Sequence, residues 1–141
     1  VIAFADTCGL AAFADERQTT HTQALDIIRR ICDSGGRLVT TNYVLAELTA
    51  LLTRPIRMSR PRQIKFLDTI RSADWIEIVH IDTELDDLGW RLWRARPDKT
   101  WSLVDCASFV VMARRGIADA ITADHQFEQA GFHWLLKPAI P

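Results

Sequence analysis

The sequence predicts an α/β fold of three layers, with helices on both faces of a central, mainly parallel sheet of four to five strands. Three observations carry this. Short continuous apolar runs fit strands buried on both faces, and Val1 to Ala5 is the first of them. Such runs alternate with stretches of helical periodicity, the signature of parallel strands joined by helical crossovers. The 141 residues, 48% apolar and 25% charged, suffice for a single domain spanning 1–141 with a substantial core.

Taken in order, the first strand ends at Asp6, and a short apolar helix follows from Gly9 to Phe13. A second helix is predicted from Thr22 to Cys32, with Ala24, Leu25, Ile28 and Ile31 on one face, stopped by Ser34-Gly35-Gly36. Arg37 to Thr41 reads as the second strand. Asn42 is a suitable N-cap for a third helix, Tyr43 to Thr53, whose inward stripe is Val44, Leu45, Leu48, Leu51 and Leu52. Pro55 and Pro61 bracket an arginine-rich loop. A fourth helix runs from Arg62 to Ser72 with Ile64, Phe66, Leu67 and Ile70 as its apolar residues, and Trp75 to Ile81 is the third strand. A fifth helix covers Asp82 to Arg96 with Leu85, Leu88, Leu92 and Trp93 inward. A sixth starts at Ser102 and closes at Gly116. Ala118 to Ala123 is the fourth strand, and Phe132 to Leu136 a short fifth.

The totals exclude some classes. No apolar run approaches membrane-span length, and no signal peptide is expected ahead of the first strand. Cys8, Cys32 and Cys106 are odd in number and lack metal-ligand spacing, which favours a reducing, cytoplasmic setting over a disulfide scaffold or zinc site. A net charge of −1 does not advertise a nucleic-acid partner, but its distribution is uneven. Between Arg54 and Lys65 stand five cations (Arg54, Arg57, Arg60, Arg62, Lys65) and no acid. They suit an RNA backbone as well as they suit a solvated loop.

Four acids sit in apolar surroundings: Asp6 after the first strand, Glu47 beside the stripe of the third helix, Asp105 in the apolar Leu103 to Met112 run, and Asp124 after the fourth strand. Local roles exist for three. Asp6 and Asp124 can cap the helices that follow, and Ser102-x-x-Asp105 matches a capping box; Glu47 has no capping role. If strands one and four are neighbours in a sheet that reverses direction after strand one, Asp6 and Asp124 face each other at the switch point. The helices carrying Glu47 and Asp105 begin at the same edge. Buried carboxylates need a partner, and several around one crevice suit Mg²⁺ or Mn²⁺, which take oxygen ligands and activate water for phosphodiester hydrolysis.

These stretches resemble PIN-domain ribonucleases of the kind found as VapC toxins of VapBC toxin–antitoxin pairs. The matching segments are Phe4-Ala5-Asp6-Thr7, Thr41 to Leu48, Ser102 to Met112, Ala120 to Phe127, and Ala130-Gly131-Phe132. The resemblance implies a Rossmann-like sheet and a Mg²⁺- or Mn²⁺-dependent endoribonuclease of single-stranded or loop RNA, leaving a 5′-phosphate and a 3′-hydroxyl. Asp6, Glu47, Asp105 and Asp124 would be catalytic, with Asp6, Asp105 and Asp124 on the metal. Thr7 and Thr122 fall where the family often carries hydroxyls near the metal. Cys8 departs from the usual Ser or Asn. A cognate antitoxin, whose tail reaches the acidic cleft, and a homodimer are the partners implied. An RNase without an antitoxin, and a PIN domain that only binds RNA or a partner, are the alternatives within the family. An aspartyl-phosphate mechanism of the haloacid-dehalogenase kind wants Asp-x-Asp, which Asp6-Thr7-Cys8 does not supply.

Overall fold

The computed structural model describes residues 1–137. Its strands are β1 (Ile2–Ala5), β2 (Arg37–Thr41), β3 (Ile76–Val79), β4 (Asp119–Ile121) and β5 (His133–Trp134). The helices are α1 (Thr7–Ala14), α2 (His21–Asp33), α3 (Asn42–Thr53), α4 (Arg60–Ser72), α5 (Thr83–Ala95), α6 (Leu103–Arg115) and α7 (Gln126–Gln129). The sheet order is β3-β2-β1-β4-β5 with every pairing parallel. Chain order therefore reverses beside β1, as the sequence pattern predicts, and the carboxyl ends of β1 and β4 lie side by side. Sheet-like hydrogen bonds continue past β5, from Leu135 N–H to the Ala120 carbonyl and from Leu136 N–H to that of Thr122. Phe4, Leu10, Leu38, Leu48, Leu52, Met112, Ile121, Phe127 and Leu136 are fully buried, so the core lies on both sheet faces.

Two features set the geometry of the sheet's carboxyl edge. Gly9 in α1 packs directly on the end of β4: a Cβ there would stand 1.8 Å from the Ile121 carbonyl oxygen. Only glycine lets the first turn of α1 sit against that strand. Trp101, just before α6, meets Phe109 edge to face at 5.0 Å, and Phe109 meets Phe127 at 4.9 Å. This aromatic chain ties the start of α6 to the segment that follows β4.

Several expectations need correction. Thr41, not Asn42, caps α3, its hydroxyl accepting from Val44 N–H; the Asn42 amide oxygen instead accepts from Ile81 N–H and ties α3 to the chain after β3. Pro61 lies inside the first turn of α4, where its missing N–H costs nothing, and Ser59 is the cap. Ile64 is half exposed while Gln63 is buried, its amide bonded to the Met58 carbonyl and the Thr53 hydroxyl. Trp93 does not point inward: α5 meets α6 along Gly89, Leu85 and Leu92, so Trp90 and Trp93 stand 41% and 46% exposed against each other.

Candidate active site

Each acid is placed by a separate element. Asp6 leaves β1 and caps α1: its Oδ1 accepts from Gly9 N–H at 2.8 Å, and its Oδ2 from the Thr122 hydroxyl at 2.7 Å. Thr122, following β4, also accepts from Asp124 N–H at 2.9 Å. One buried hydroxyl thus joins the ends of two strands and orients both acids. Asp105 occupies the third position of α6 in a complete capping box with Ser102. Asp124 accepts from Gln126 N–H at 2.9 Å. Glu47 projects from α3 and accepts from the Thr7 hydroxyl at 2.5 Å. The capping roles read from the sequence hold for Asp6 and Asp105, whereas His125, not Asp124, is the N-cap residue of α7 and Asp124 only closes a turn onto Gln126. These bonds use one oxygen each on Asp105 and Asp124, so the other stays without a donor among the described residues; the same holds for Glu47 Oε2.

All four acids line one cavity of about 390 Å³, together with Thr7, Cys8, Ala11, Gln18, Leu51, Pro55 and Ile56. No lysine or arginine among the described residues lines it. Burial sets the electrostatics first. It pushes Asp6 up to about 7, against the pull of the Thr122 and Gly9 hydrogen bonds, and Asp105 and Asp124 raise it further by like charge. Asp105 is also raised, by burial and then, against its Ser102 bonds, by Asp124 and Glu47. Burial and the neighbouring Asp6 push the Cys8 thiol up, which makes it a poor nucleophile. Cys106 is buried and shifted to about 11 by burial, an inert packed thiol.

Burial is uneven across the set. Asp6 is buried, Asp105 and Asp124 are half-buried, and Glu47 is exposed, contrary to the apolar setting its neighbours in sequence suggest. Val44, Leu48 and Leu52 take the core side of α3, which leaves Glu47 at the rim with Leu51. As the side chains stand, no three His, Cys, Asp or Glu among the described residues are close enough to hold one ion; each acid is engaged by its own local donor. The donor set itself is all oxygen, the kind that hard divalent cations take.

The cavity lip is a feature that the sequence pattern did not reveal. Asp15, at the end of α1, is buried and accepts from Arg17 N–H at 3.1 Å, from Arg17 Nε at 3.0 Å and from the Gln18 amide at 3.1 Å. The Arg17 guanidinium donates onward to the Ile56 carbonyl at 2.6 Å. Gln18, Pro55 and Ile56 all face the acids. This clamp thus ties two loops into one wall. Its signal was the Asp15-x-Arg17-Gln18 turn, which passes for an ordinary polar linker. The five cations of the Arg54 to Lys65 stretch are exposed, and none of them lines the acidic cavity.

A parallel sheet with a chain reversal beside β1, and carboxylates from four elements at its carboxyl edge, defines a PIN domain, and the chain belongs to that family: the PIN-domain model matches residues 3–133. Among individual proteins it is similar to the 23S rRNA-specific endonuclease VapC20 of Mycobacterium tuberculosis. It is 32% identical to the sequences from strains CDC 1551 and H37Rv over 131 residues, 92% of this chain and 94% of that protein. The crystal structure of M. tuberculosis VapC20, described as a sarcin-ricin-loop-cleaving toxin, superposes with a TM-score of 0.79 at 28% identity, covering 94% of this chain and 96% of that one. VapBC2 from Rickettsia felis, solved bound to a promoter DNA fragment, shares the fold at a TM-score of 0.67 and 12% identity, covering 95% and 97%.

Proposed function

We propose that the chain is a divalent-cation-dependent endoribonuclease that hydrolyses phosphodiester bonds of single-stranded or loop RNA, and that it acts as the toxin of a toxin–antitoxin pair. The observation that carries this is the cavity where Asp6, Glu47, Asp105 and Asp124 meet without a cation among its lining residues. The similarity to a 23S rRNA-specific endonuclease supports RNA as the substrate.

Asp6, Asp105 and Asp124 would hold Mg²⁺ or Mn²⁺. When bound, such an ion offsets the charge of the phosphate and lowers the pKa of a coordinated water. Glu47, exposed and with one oxygen unengaged, would either join them on the ion or orient the attacking water. The water oxygen bonds to phosphorus, the P–O3′ bond breaks, and a proton passes to O3′, leaving a 5′-phosphate and a 3′-hydroxyl. Thr7 and Thr122 hold Glu47 and Asp6 in orientation. Arg54, Arg57, Arg60, Arg62 and Lys65 would contact RNA outside the cavity.

The reading brings with it a cytoplasmic setting, an antitoxin whose tail reaches the acidic cavity, and a homodimer. Trp90 and Trp93 offer exposed aromatic surface to such a contact. No helix among the described residues is long and apolar enough to cross a membrane.

The test is incubation with single-stranded RNA and Mg²⁺ or Mn²⁺. Cleavage is expected to stop with EDTA and to fall at least a hundredfold in Asp6→Asn and Asp105→Asn, roughly the loss on removing one transition-state stabiliser. Cleavage that survives EDTA, or both substitutions, sinks the mechanism.

A further inference from the structure

A second cavity is larger than the acidic one. It is a groove of about 640 Å³ between α3 and α4, lined by Thr49, Ala50, Thr53, Arg54, Arg60, Gln63, Ile64, Leu67, Asp68 and Arg71. Three guanidiniums face it with one acid, and Arg71 lies beyond the cationic stretch noted in the sequence. We propose that this groove is an RNA-backbone site, in which Arg54, Arg60 and Arg71 hold phosphates of the strand whose scissile bond lies in the acidic cavity. The proposal rests on the endoribonuclease reading and gives it a second point of contact.

Electrostatics favours such a site. Four carboxylates around the cavity repel a polyanion, so the affinity that retains the strand must come from elsewhere. The groove brings three uncommitted guanidiniums together. Arg17, Arg37, Arg96, Arg114 and Arg115 each pair with a carboxylate, whereas Arg54, Arg60 and Arg71 pair with none among the described residues. From Arg54 to Arg71 the chain carries six cations and one acid. Arginine's planar fork suits phosphate oxygens in particular.

The frame that presents these cations is preset. Arg54 is the C-cap residue of α3, Arg60 opens α4, and Arg71 lies in the last turn of α4. The buried Gln63 amide, bonded to the Met58 carbonyl and the Thr53 hydroxyl, locks the start of α4 to the end of α3. Arg60 and Arg71 are eleven positions apart on one helix, about 16 Å along its axis, enough to engage more than one phosphate.

Groove and cavity share a wall. α3 turns Glu47 and Leu51 to the acidic cavity and Thr49, Ala50 and Thr53 to the groove. The chain then alternates sides, with Arg54 on the groove and Pro55 and Ile56 on the cavity. A strand crossing this wall passes directly from guanidiniums to carboxylates. That continuity favours a nucleic-acid strand that must reach both sites over an acidic peptide that needs only the groove.

The test measures binding of a fluorescent single-stranded RNA to the full chain in EDTA across a salt series, with Arg54→Gln/Arg60→Gln/Arg71→Gln as the variant. Arg71→Gln alone serves should the triple variant fold poorly. The slope of log affinity against log salt is expected to shrink by about 0.7 for each phosphate that is no longer neutralised, about two for the triple variant. Its KM for RNA cleavage should rise tenfold or more, with Arg71→Lys recovering part of the slope. Arg29→Gln/Arg30→Gln, on α2 outside the groove, should match the wild type. A triple variant that keeps the wild-type slope overturns the proposal, as does one that loses affinity for polyglutamate and not for RNA. Wild-type cleavage with an unchanged slope in the variant removes the groove and leaves the nuclease standing. A slope change in a protein that does not cleave keeps the groove and removes the nuclease.

Discussion

Asp6 shows how one residue can serve fold and chemistry at once. Its carboxylate caps α1, accepts the Thr122 hydroxyl, and is buried beside two other acids. Burial raises it from 3.8 to about 7. Between those values the folded protein binds a proton that the unfolded chain does not, so stability falls as pH rises through about 7. The full shift corresponds to roughly 4 kcal/mol, an upper bound. In EDTA, the wild type should therefore melt lower at about pH 8 than at about pH 5 by several degrees. Asp6→Asn keeps a good capping side chain and removes the charge, so it should flatten that dependence. Thermal denaturation of both proteins at the two pH values checks this, and equal pH dependence would refute it. Asp6 was legible because an acid ending an apolar strand has few places to go; Thr122 was legible only through the resemblance to PIN-domain ribonucleases. The exposure of Glu47 was not: its i±3 and i±4 neighbours are apolar, and only the packing of Val44, Leu48 and Leu52 shows which side of α3 faces inward.

At the scale of elements, strands and helices were readable where local chemistry decides them. Gly116, with φ 65°, closes α6 in the left-handed conformation, and the Ser102 capping box opens it. Tertiary contacts decided the rest. Asn42 was drawn to Ile81 instead of capping α3, and Trp93 was left outside because Gly89 set the line of contact between α5 and α6. The clamp at the cavity lip was illegible for the same reason: Arg17 and Ile56 are far apart in sequence and meet only in the fold. Arg17→Ala should free the 54–58 loop. The Ile56 and Met58 amides, bonded to the Leu51 and Leu52 carbonyls, report on it. Their hydrogen exchange should quicken measurably while amides in β1 and β2 stay protected. Unchanged exchange at these two positions would show that the wall holds without the clamp.

Across the whole molecule, charge is segregated about α3: carboxylates on one side, guanidiniums on the other, with a net charge of only −1. The adjacency of β1 and β4 was legible because a parallel sheet that reverses beside its first strand brings the two together. Which cavity collects which charge was not, since that depends on how α3 is rotated against the sheet. Segregation has a thermodynamic consequence. Burial, and after it the neighbouring carboxylates, raise Asp6 and Asp105, and a divalent cation relieves that repulsion only in the folded state. Mg²⁺ or Mn²⁺ at about a hundred times its dissociation constant should then stabilise the protein by about 2.7 kcal/mol. Below about pH 7 the ion must displace the proton on Asp6, so the gain should be large at about pH 8 and small at about pH 5. Asp105→Asn should reduce it at both, and Na⁺ at matched ionic strength should not reproduce it. Differential scanning fluorimetry over this grid of ion and pH decides the matter. A melting temperature indifferent to Mg²⁺ and Mn²⁺ at about pH 8 would mean that the four acids do not form a cation site.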